Sequence, residues 1–545
     1  MNKKAKFKFN IIAIICIVLL AFVLTPITFQ NDTYYTIKVG EHIAQKGIDM
    51  KDSFSWHEGL TYTYPHWLYD LGIYYVYSIG EFQAIYILTI ILASILGIVL
   101  YATSVKISKN HFISFLLTMG AMYFLKDFIA ARAQLVTFIL FVLTVYFIEM
   151  FIESKKKRYI IGLVIIPIII ANVHAAVWTF YFVLYLPYIA EYIIALMRKS
   201  NLKYKFKIAR VQKKINKLKK LKKDEGKLLK LENLIGKLEE KRDNIPQRII
   251  KNDEKAYKIR ISKKDNVKWL ILVMIICLLT GFLTPQLTEP YTHIFKLMSG
   301  NSTDNIVEHL PLVLAQHKLS ICVILIFLAI LMFTDTKIDL SDGFMLFGLL
   351  ILMFMSRRQF SIFVLIGVSI LAKLITAFLN KYSPHETEKI EKSIVKFPYG
   401  MITVLVVSLI CIYIYRGKIH NEFINKNTYP VEASLFIKRN LDLKNIKLYN
   451  EYNYGSYLLF KGIPVFIDSR ADLYTPQFNS GKDIFMDFMN ISNLNTDYEL
   501  KFKEYGITHV LMYNNSKLNT FLIKDTKYNQ IYIDDHFVIY ERLSQ

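Results

Sequence analysis

Charge is scarce in this chain. Only 20% of its 545 residues are Asp, Glu, Lys or Arg, while 54% are apolar and 14% aromatic. A single water-soluble enzyme of this size is excluded, because it could not cover its surface with so little charge. Cysteine is scarce too. Cys16, Cys277, Cys322 and Cys411 all lie in apolar runs, with no CxxC pair, and read as small packing residues, not as disulfides or metal ligands. No His/Cys set has zinc spacing, so no cofactor is expected, and a divalent metal is possible but without support in the sequence. No phosphate-binding Gly-Lys loop is present, which argues against ATP-driven transport. Paired Gly/Pro-broken spans, the mark of inverted-repeat transporters, are also missing.

Long apolar runs and one basic segment are what the chain has. The net charge is +23, and 198–268 carries 26 Lys/Arg against nine Asp/Glu, seventeen of that excess. Concentrated between apolar runs, this is the positive-inside signature of a cytoplasmic loop, with anionic headgroups as its attractant and no nucleic acid as partner. A spanning helix takes about 20 apolar residues. Eleven candidates are 10–29, 81–104, 111–125, 134–151, 159–172, 175–197, 269–284, 319–334, 344–356, 360–379 and 399–415. The first follows Lys3, Lys4, Lys6 and Lys8 and lacks a small-residue cleavage site, so it reads as retained. Alternation then puts nearly all inter-span lysines inside, and the Tyr-rich stretch 65–79 lies along the outer interface.

The expected architecture is a polytopic α-helical membrane protein with a small C-terminal α/β domain. It divides into N-terminal spans 1–197 with a first outer loop 30–80, the basic loop 198–268, C-terminal spans 269–415, and an extracytoplasmic domain 416–545. In the last, 447–449, 464–467, 508–512 and 530–533 read as strands, and 431–439, 481–489 and 518–523 as helices. In the basic loop, Val211, Ile215 and Leu218, then Leu228, Leu231, Ile235 and Leu238, have coiled-coil spacing broken at Asp224-Glu225-Gly226. A helical hairpin and a solvated loop on the membrane surface both fit.

Ionisable residues at the outer ends of spans are costly near lipid and mark function. Asp32, Asp52 and His66 lie in the first outer loop, Arg132 opens 134–151, His174 sits at a helix break, Glu308 and His309 are in a second outer loop, and Arg357-Arg358 separate two spans. This topology puts all of them on one face. Cations there suit a lipid-linked phosphate, and a carboxylate suits removal of a proton from a hydroxyl. Simpler readings stand beside these: Asp32 as an N-cap for a helix from Thr33, His174 as a helix-end residue, and Arg357-Arg358 as headgroup contacts. Asp468-Ser469-Arg470-Ala471-Asp472 reads as an ion-pair turn, not a metal site.

Several stretches resemble the GT-C superfamily of integral-membrane glycosyltransferases, in a bacterial branch without assigned substrates. Asn31-Asp32-Thr33-Tyr34-Tyr35 with Lys38-Val39-Gly40 resembles its Asp-aromatic opening. Asp52-Ser53-Phe54-Ser55 followed by Pro65-His66-Trp67-Leu68 resembles its D-P-F-S and H-E-W-L segments. Ala131-Arg132-Ala133-Gln134 resembles A-R-P-Q, with Ala133 in place of proline. Ala171-Asn172-Val173-His174 resembles A-N-x-H, and Arg357-Arg358-Gln359-Phe360 its late Arg motif. Tyr454-Gly455-Ser456-Tyr457-Leu458 and the run from Phe466 to Tyr474 resemble W-G-G-Y-L and F-I-D-G-R-A-D-L-Y.

The resemblance implies a polyprenyl-phosphate-linked sugar as donor, a cell-envelope acceptor and a place in the bacterial cytoplasmic membrane, amino terminus inside. Asp32 falls at the catalytic-base position. Arg132, Arg357 and Arg358, with His174, would hold the phosphate, while Glu308 and His66 orient substrate. Asp468, Arg470 and Asp472 are candidates in the tail. The rival is a non-catalytic membrane scaffold of the same shape, with the basic loop recruiting envelope-assembly partners.

Overall fold

The structure, a computed structural model, describes residues 3–199, 202–220, 225–244, 258–262, 264–299, 306–314, 318–479 and 481–543. It is a mostly helical membrane protein. Among the described residues six helices are long and apolar enough to cross a membrane: Lys3–Leu24, Trp67–Ser108, Ala133–Ser154, Ala175–Arg198, Arg357–Tyr382 and Tyr399–Arg416. His111–Phe124, Val267–Phe282, Ser320–Phe333 and Leu340–Met355 are shorter apolar helices. The run 159–172 falls on Lys157–Val173, which contains Pro167. The first helix stops at Leu24, short of the expected 29, because the next residues are Thr25-Pro26 and the position before proline avoids helical backbone. Lys418 ties that end down, its Nζ donating to the carbonyls of Val23, Leu24 and Thr25 at 2.6–3.1 Å.

The segment 30–80, expected as the first outer loop, opens with a helix, Asn31–Lys46, whose N-cap position is Gln30. Asp32 is therefore inside its first turn, and the N-cap reading of Asp32 does not hold. The helix lies close on the Trp67–Ser108 helix at Gly40, where a Cβ would stand 2.1 Å from the Asp70 carbonyl oxygen. Only glycine allows that approach. Trp67–Ser108 is broken at Gly80 and Glu81, whose backbone angles are not helical. The break separates the Tyr-rich stretch from the apolar run beyond it.

Near the carboxyl end a four-stranded sheet forms from β3 (Leu448–Tyr449), β4 (His509–Tyr513), β5 (Tyr528–Ile533) and β6 (Phe537–Arg542) in the order β3-β4-β6-β5. β3 and β4 are parallel, and β6 is antiparallel to both its neighbours. A two-residue parallel pair, β1 (Ile259–Arg260) with β2 (Ile338–Asp339), lies apart from it. Helices Val431–Asn440, Tyr452–Phe460, Ile484–Asn493 and Tyr498–Tyr505 accompany the larger sheet.

Three expected strands are present, but 464–467 is not in the sheet. Its Val465 instead pairs with Ser55 of the first outer loop. Around that pairing, Trp56 N–H donates to the Val465 carbonyl (3.3 Å), Trp56 Nε1 to the Leu448 carbonyl (2.9 Å), and Val465 N–H to the Phe54 carbonyl (3.4 Å). The tail does not close a core of its own. One cluster of buried side chains runs from Tyr34, Tyr64 and Ile73 to Tyr457, Phe466 and Val510, so the first outer loop and the tail are packed as one apolar unit.

In the basic loop the helices are Leu202–Lys220 and Glu225–Asp243. Ile215 is buried, and Leu228, Leu231, Ile235 and Leu238 are partly covered. Lys219 and Glu232 join the helices at 2.8 Å. The described part of the loop is thus two helices packed on each other, and Asp224 of the expected break lies outside the described residues. Glu225 and Gly226 belong to its second helix.

Candidate functional site

A cavity of about 1090 Å³ opens where the first outer loop, the ends of the apolar helices and the tail meet. Its apolar side includes Phe180, Leu352 and Met355, and its far side includes Tyr452, Ser469 and Phe488. Nine of the residues singled out in the sequence line it: Asp32, His66, Arg132, His174, Glu308, His309, Arg358, Arg470 and Asp472. Asp52, Arg357 and Asp468 do not. Arg357 Nε donates to the Pro311 carbonyl (3.4 Å), and Asp468 is buried behind the wall against Arg470.

Each side chain is aimed by its local fold. The first-turn position of Asp32 points its carboxylate at Arg132, whose Nη2 is 2.6 Å from the Asp32 Oδ2. Arg132 precedes the Ala133–Ser154 helix in extended backbone and also lies 3.4 Å from Glu308. Burial works against the Arg132 charge, but Asp32 and Glu308 more than offset it and hold the guanidinium firmly protonated. Arg358 is brought in by a backbone match: its N–H donates to the Glu308 carbonyl (3.0 Å), and the Arg357 N–H to the Leu310 carbonyl (2.9 Å). The Arg358 guanidinium has no carboxylate within 4.0 Å among the described residues, although it is enclosed by the cavity wall. Arg132 is thus directly ion-paired, whereas Arg358 faces Glu308, Asp32 and Asp472 only at longer range.

His174 ends the Lys157–Val173 helix, and its backbone turn hands Ala175 N–H to the Pro65 carbonyl (2.9 Å). That bond sets His174 against His66, ring centroids 4.8 Å apart and edge-on. Burial, then the charges of His293 and Arg358, push His66 down to about 3. Burial and the neighbouring His66 and Arg358 likewise keep His174 well below its ordinary range. Both rings are neutral near pH 7, and His174 Nδ1 shares a hydrogen bond with the Thr137 hydroxyl (3.0 Å).

The sequence reading passed over a second cluster on the same wall. His293 lies between Glu289, 2.8 Å from its Nδ1, and Asp472, 3.6 Å from its Nε2. Burial opposes its charge, yet the two carboxylates win and raise it to about 9. Glu289 and His293 are four apart on the Glu289–Ser299 helix, a spacing that puts them on one face and was the available signal. Asp472 therefore reaches across to the Glu289–Ser299 helix, while Asp468 makes the ion-pair turn with Arg470. Glu451 also lines the cavity, and burial raises its carboxyl to about 7. Among the described residues no group of three or more His, Cys, Asp or Glu is placed to hold a metal ion, and all four cysteines are free.

The His293 contacts set a pH dependence. A base whose folded pKa is raised to about 9 stabilises the fold fully below about 6.5 and loses that contribution as pH rises through 9. Melting temperature in detergent is therefore expected to fall between pH 7 and 9.5. His293→Gln should flatten that limb, while the acid-side loss caused by charging His66 and His174 persists. An alkaline limb unchanged in the variant would remove His293 from this role.

The chain matches no protein-family model and no curated protein.

Proposed function

We propose that this protein is a membrane glycosyltransferase that moves a sugar from a polyprenyl-phosphate donor to an extracytoplasmic cell-envelope acceptor. The observation that carries the reading is the placing of a half-buried guanidinium without a direct carboxylate partner among the described residues, Arg358, beside the Asp32–Arg132 ion pair in one cavity that is apolar on one side. In this reading the chain crosses the bacterial cytoplasmic membrane eleven times, with its amino terminus inside and 416–545 outside as an α/β domain over the site.

Arg358 takes the donor phosphate, and Arg132 joins it by exchanging Asp32 for a phosphate oxygen. Asp32 accepts the proton of the acceptor hydroxyl as that oxygen bonds to the anomeric carbon, and the bond from that carbon to phosphate breaks with inversion. Polyprenyl monophosphate leaves, held by the two arginines. His66 and His174, both neutral, orient the sugar, and Glu308 receives the arginine that Asp32 gives up. No metal or cofactor is needed for these steps.

The rival scaffold reading draws on the mutual satisfaction of Asp32, Arg132 and Glu308 without any ligand. Binding separates the two. Polyprenyl monophosphate is expected to raise the melting temperature of the purified protein, and Arg358→Gln should weaken that binding about 10- to 150-fold, the worth of one charge-assisted contact. Absence of any shift in the wild type, or an equal shift in the variant, refutes the donor assignment.

A further inference from the structure

The hairpin in the basic loop segregates its charge. Leu202–Lys220 carries nine Lys/Arg and no acid, whereas Glu225–Asp243 carries five of each. The apolar seam of the first helix is spent on the second: Ile215 is 1% exposed, with Ile208, Val211 and Leu218 partly covered beside it. The opposite face shows Phe206, 71% exposed, followed by Arg210, Lys213 and Lys217, all exposed. Steps of four, three and four place these four residues in one stripe.

A topological signal for the membrane needs positive charge in the loop but gains nothing from a folded hairpin that sorts its cations onto one helix. We infer that the Phe206–Arg210–Lys213–Lys217 face of this helix binds the anionic phospholipid headgroups of the membrane that holds the chain.

Charge complementarity and tethering favour this partner over nucleic acid. The helix starts within a few residues of the end of the apolar Ala175–Arg198 helix. The connection is too short to carry the start of the helix beyond the headgroup region, so lipid phosphate is met at high effective concentration. A free polyanion would have to compete with that. With the seam already covered, binding is electrostatic adsorption with one aromatic side chain at the interface, not insertion. The inference is independent of the transferase reading.

The test uses the full-length protein in nanodiscs, with a fluorophore on Asn216→Cys in a Cys322→Ser background and a fixed density of nitroxide-headgroup lipid as quencher. Quenching is expected to rise when phosphatidylglycerol replaces part of the phosphatidylcholine. It should fall back as salt approaches 1 M, where screening acts over about 3 Å. Arg210→Gln, Lys213→Gln and Lys217→Gln should each weaken the adsorption about fivefold. The wild-type lipid and salt series stands by itself if a variant loses its hairpin, which circular dichroism would show. Quenching independent of phosphatidylglycerol and salt overturns the inference, leaving the charge with a topological role only. A response to an RNA oligonucleotide but not to phosphatidylglycerol overturns it in favour of nucleic acid.

Discussion

Asp32→Asn is expected to reduce sugar transfer by about 10²- to 10⁴-fold, the usual worth of a positioned general base, while donor binding becomes no weaker than in the wild type. The substitution keeps the size of the side chain and removes only its charge. Asp32 sits on a helix whose place is fixed by the Gly40 contact and by a hydrogen bond from Asn31 Nδ2 to the Tyr452 carbonyl (3.0 Å). Neither depends on the carboxylate. Its partner Arg132 is not stranded, because Glu308 is 3.4 Å away. The effect should therefore fall on kcat, with the donor KM unchanged or lowered because the carboxylate no longer competes for Arg132, and with the melting temperature largely kept.

The ion pair adds an order of events. At 2.6 Å from Arg132, Asp32 is engaged until an anion competes for the guanidinium. Under the proposed function the donor phosphate would be that anion, so donor arrival would free the base and acceptor activation would follow donor binding. Radiolabelled polyprenyl-phosphate sugars presented to proteoliposomes, with envelope material as acceptor, provide the measurement. A variant that transfers at the wild-type rate, or that loses activity only in proportion to lost folded protein, removes Asp32 from catalysis.

What the sequence made legible was periodicity and local charge. Each of the eleven apolar runs lies on a helix, and the seam of the hairpin is where its 3/4 spacing put it, because burial of an apolar stripe is decided by nearby residues. Strand 464–467 was misassigned because its pairing partner, Ser55, is about four hundred residues away. Apolar alternation identifies a strand but not the edge it joins.

The same limit applies to the site. Asp32, Arg132 and Arg358 were found as charges at apolar borders, and Arg357, with the same credentials, faces elsewhere because one residue along a turn reverses direction. Asp472 looked like a partner of Arg470 in sequence, but its actual partner His293 lies on a helix that only the tertiary fold brings near. Asp32 read as a cap because the helix start was placed at Thr33, two residues late, which lies within the ordinary uncertainty of helix ends.

Arg470→Ala is expected to be the most destabilising of these substitutions, at about 3–5 kcal/mol, a large share of the 5–15 kcal/mol typical of a folded protein. Its guanidinium bonds Asp468 at 2.7 Å and Asp52 at 2.8 Å, and all three side chains are 3% exposed or less. Phe54 and Tyr62 flank it, with ring centroids 5.1 and 4.7 Å from the guanidinium carbon. Removing the arginine leaves two carboxylates buried and facing each other.

The acid response should change sign with it. In the wild type burial works against the Asp52 charge, but Arg470 and the Ser55 hydrogen bonds hold it below the usual carboxylate range. Its stabilisation is therefore present at neutral pH and is lost only as pH falls below about 4. In Arg470→Ala the unpaired carboxylates are easier to bury once protonated, so the deficit against wild type should shrink as pH falls from 7 to 5. Thermal melts across that range measure it. Replacing the whole set, with Arg470→Met, Asp52→Asn and Asp468→Asn, should recover most of the loss, because no uncompensated charge then remains inside. A deficit that is constant with pH would mean that the loss comes from packing against Phe54 and Tyr62. Arg470 thus joins Asp52 of the segment 30–80 to the tail, and the Ala471–Tyr474 turn after it delivers Asp472 to His293, so loss of the triad's charge balance should also loosen the Asp472–His293 contact.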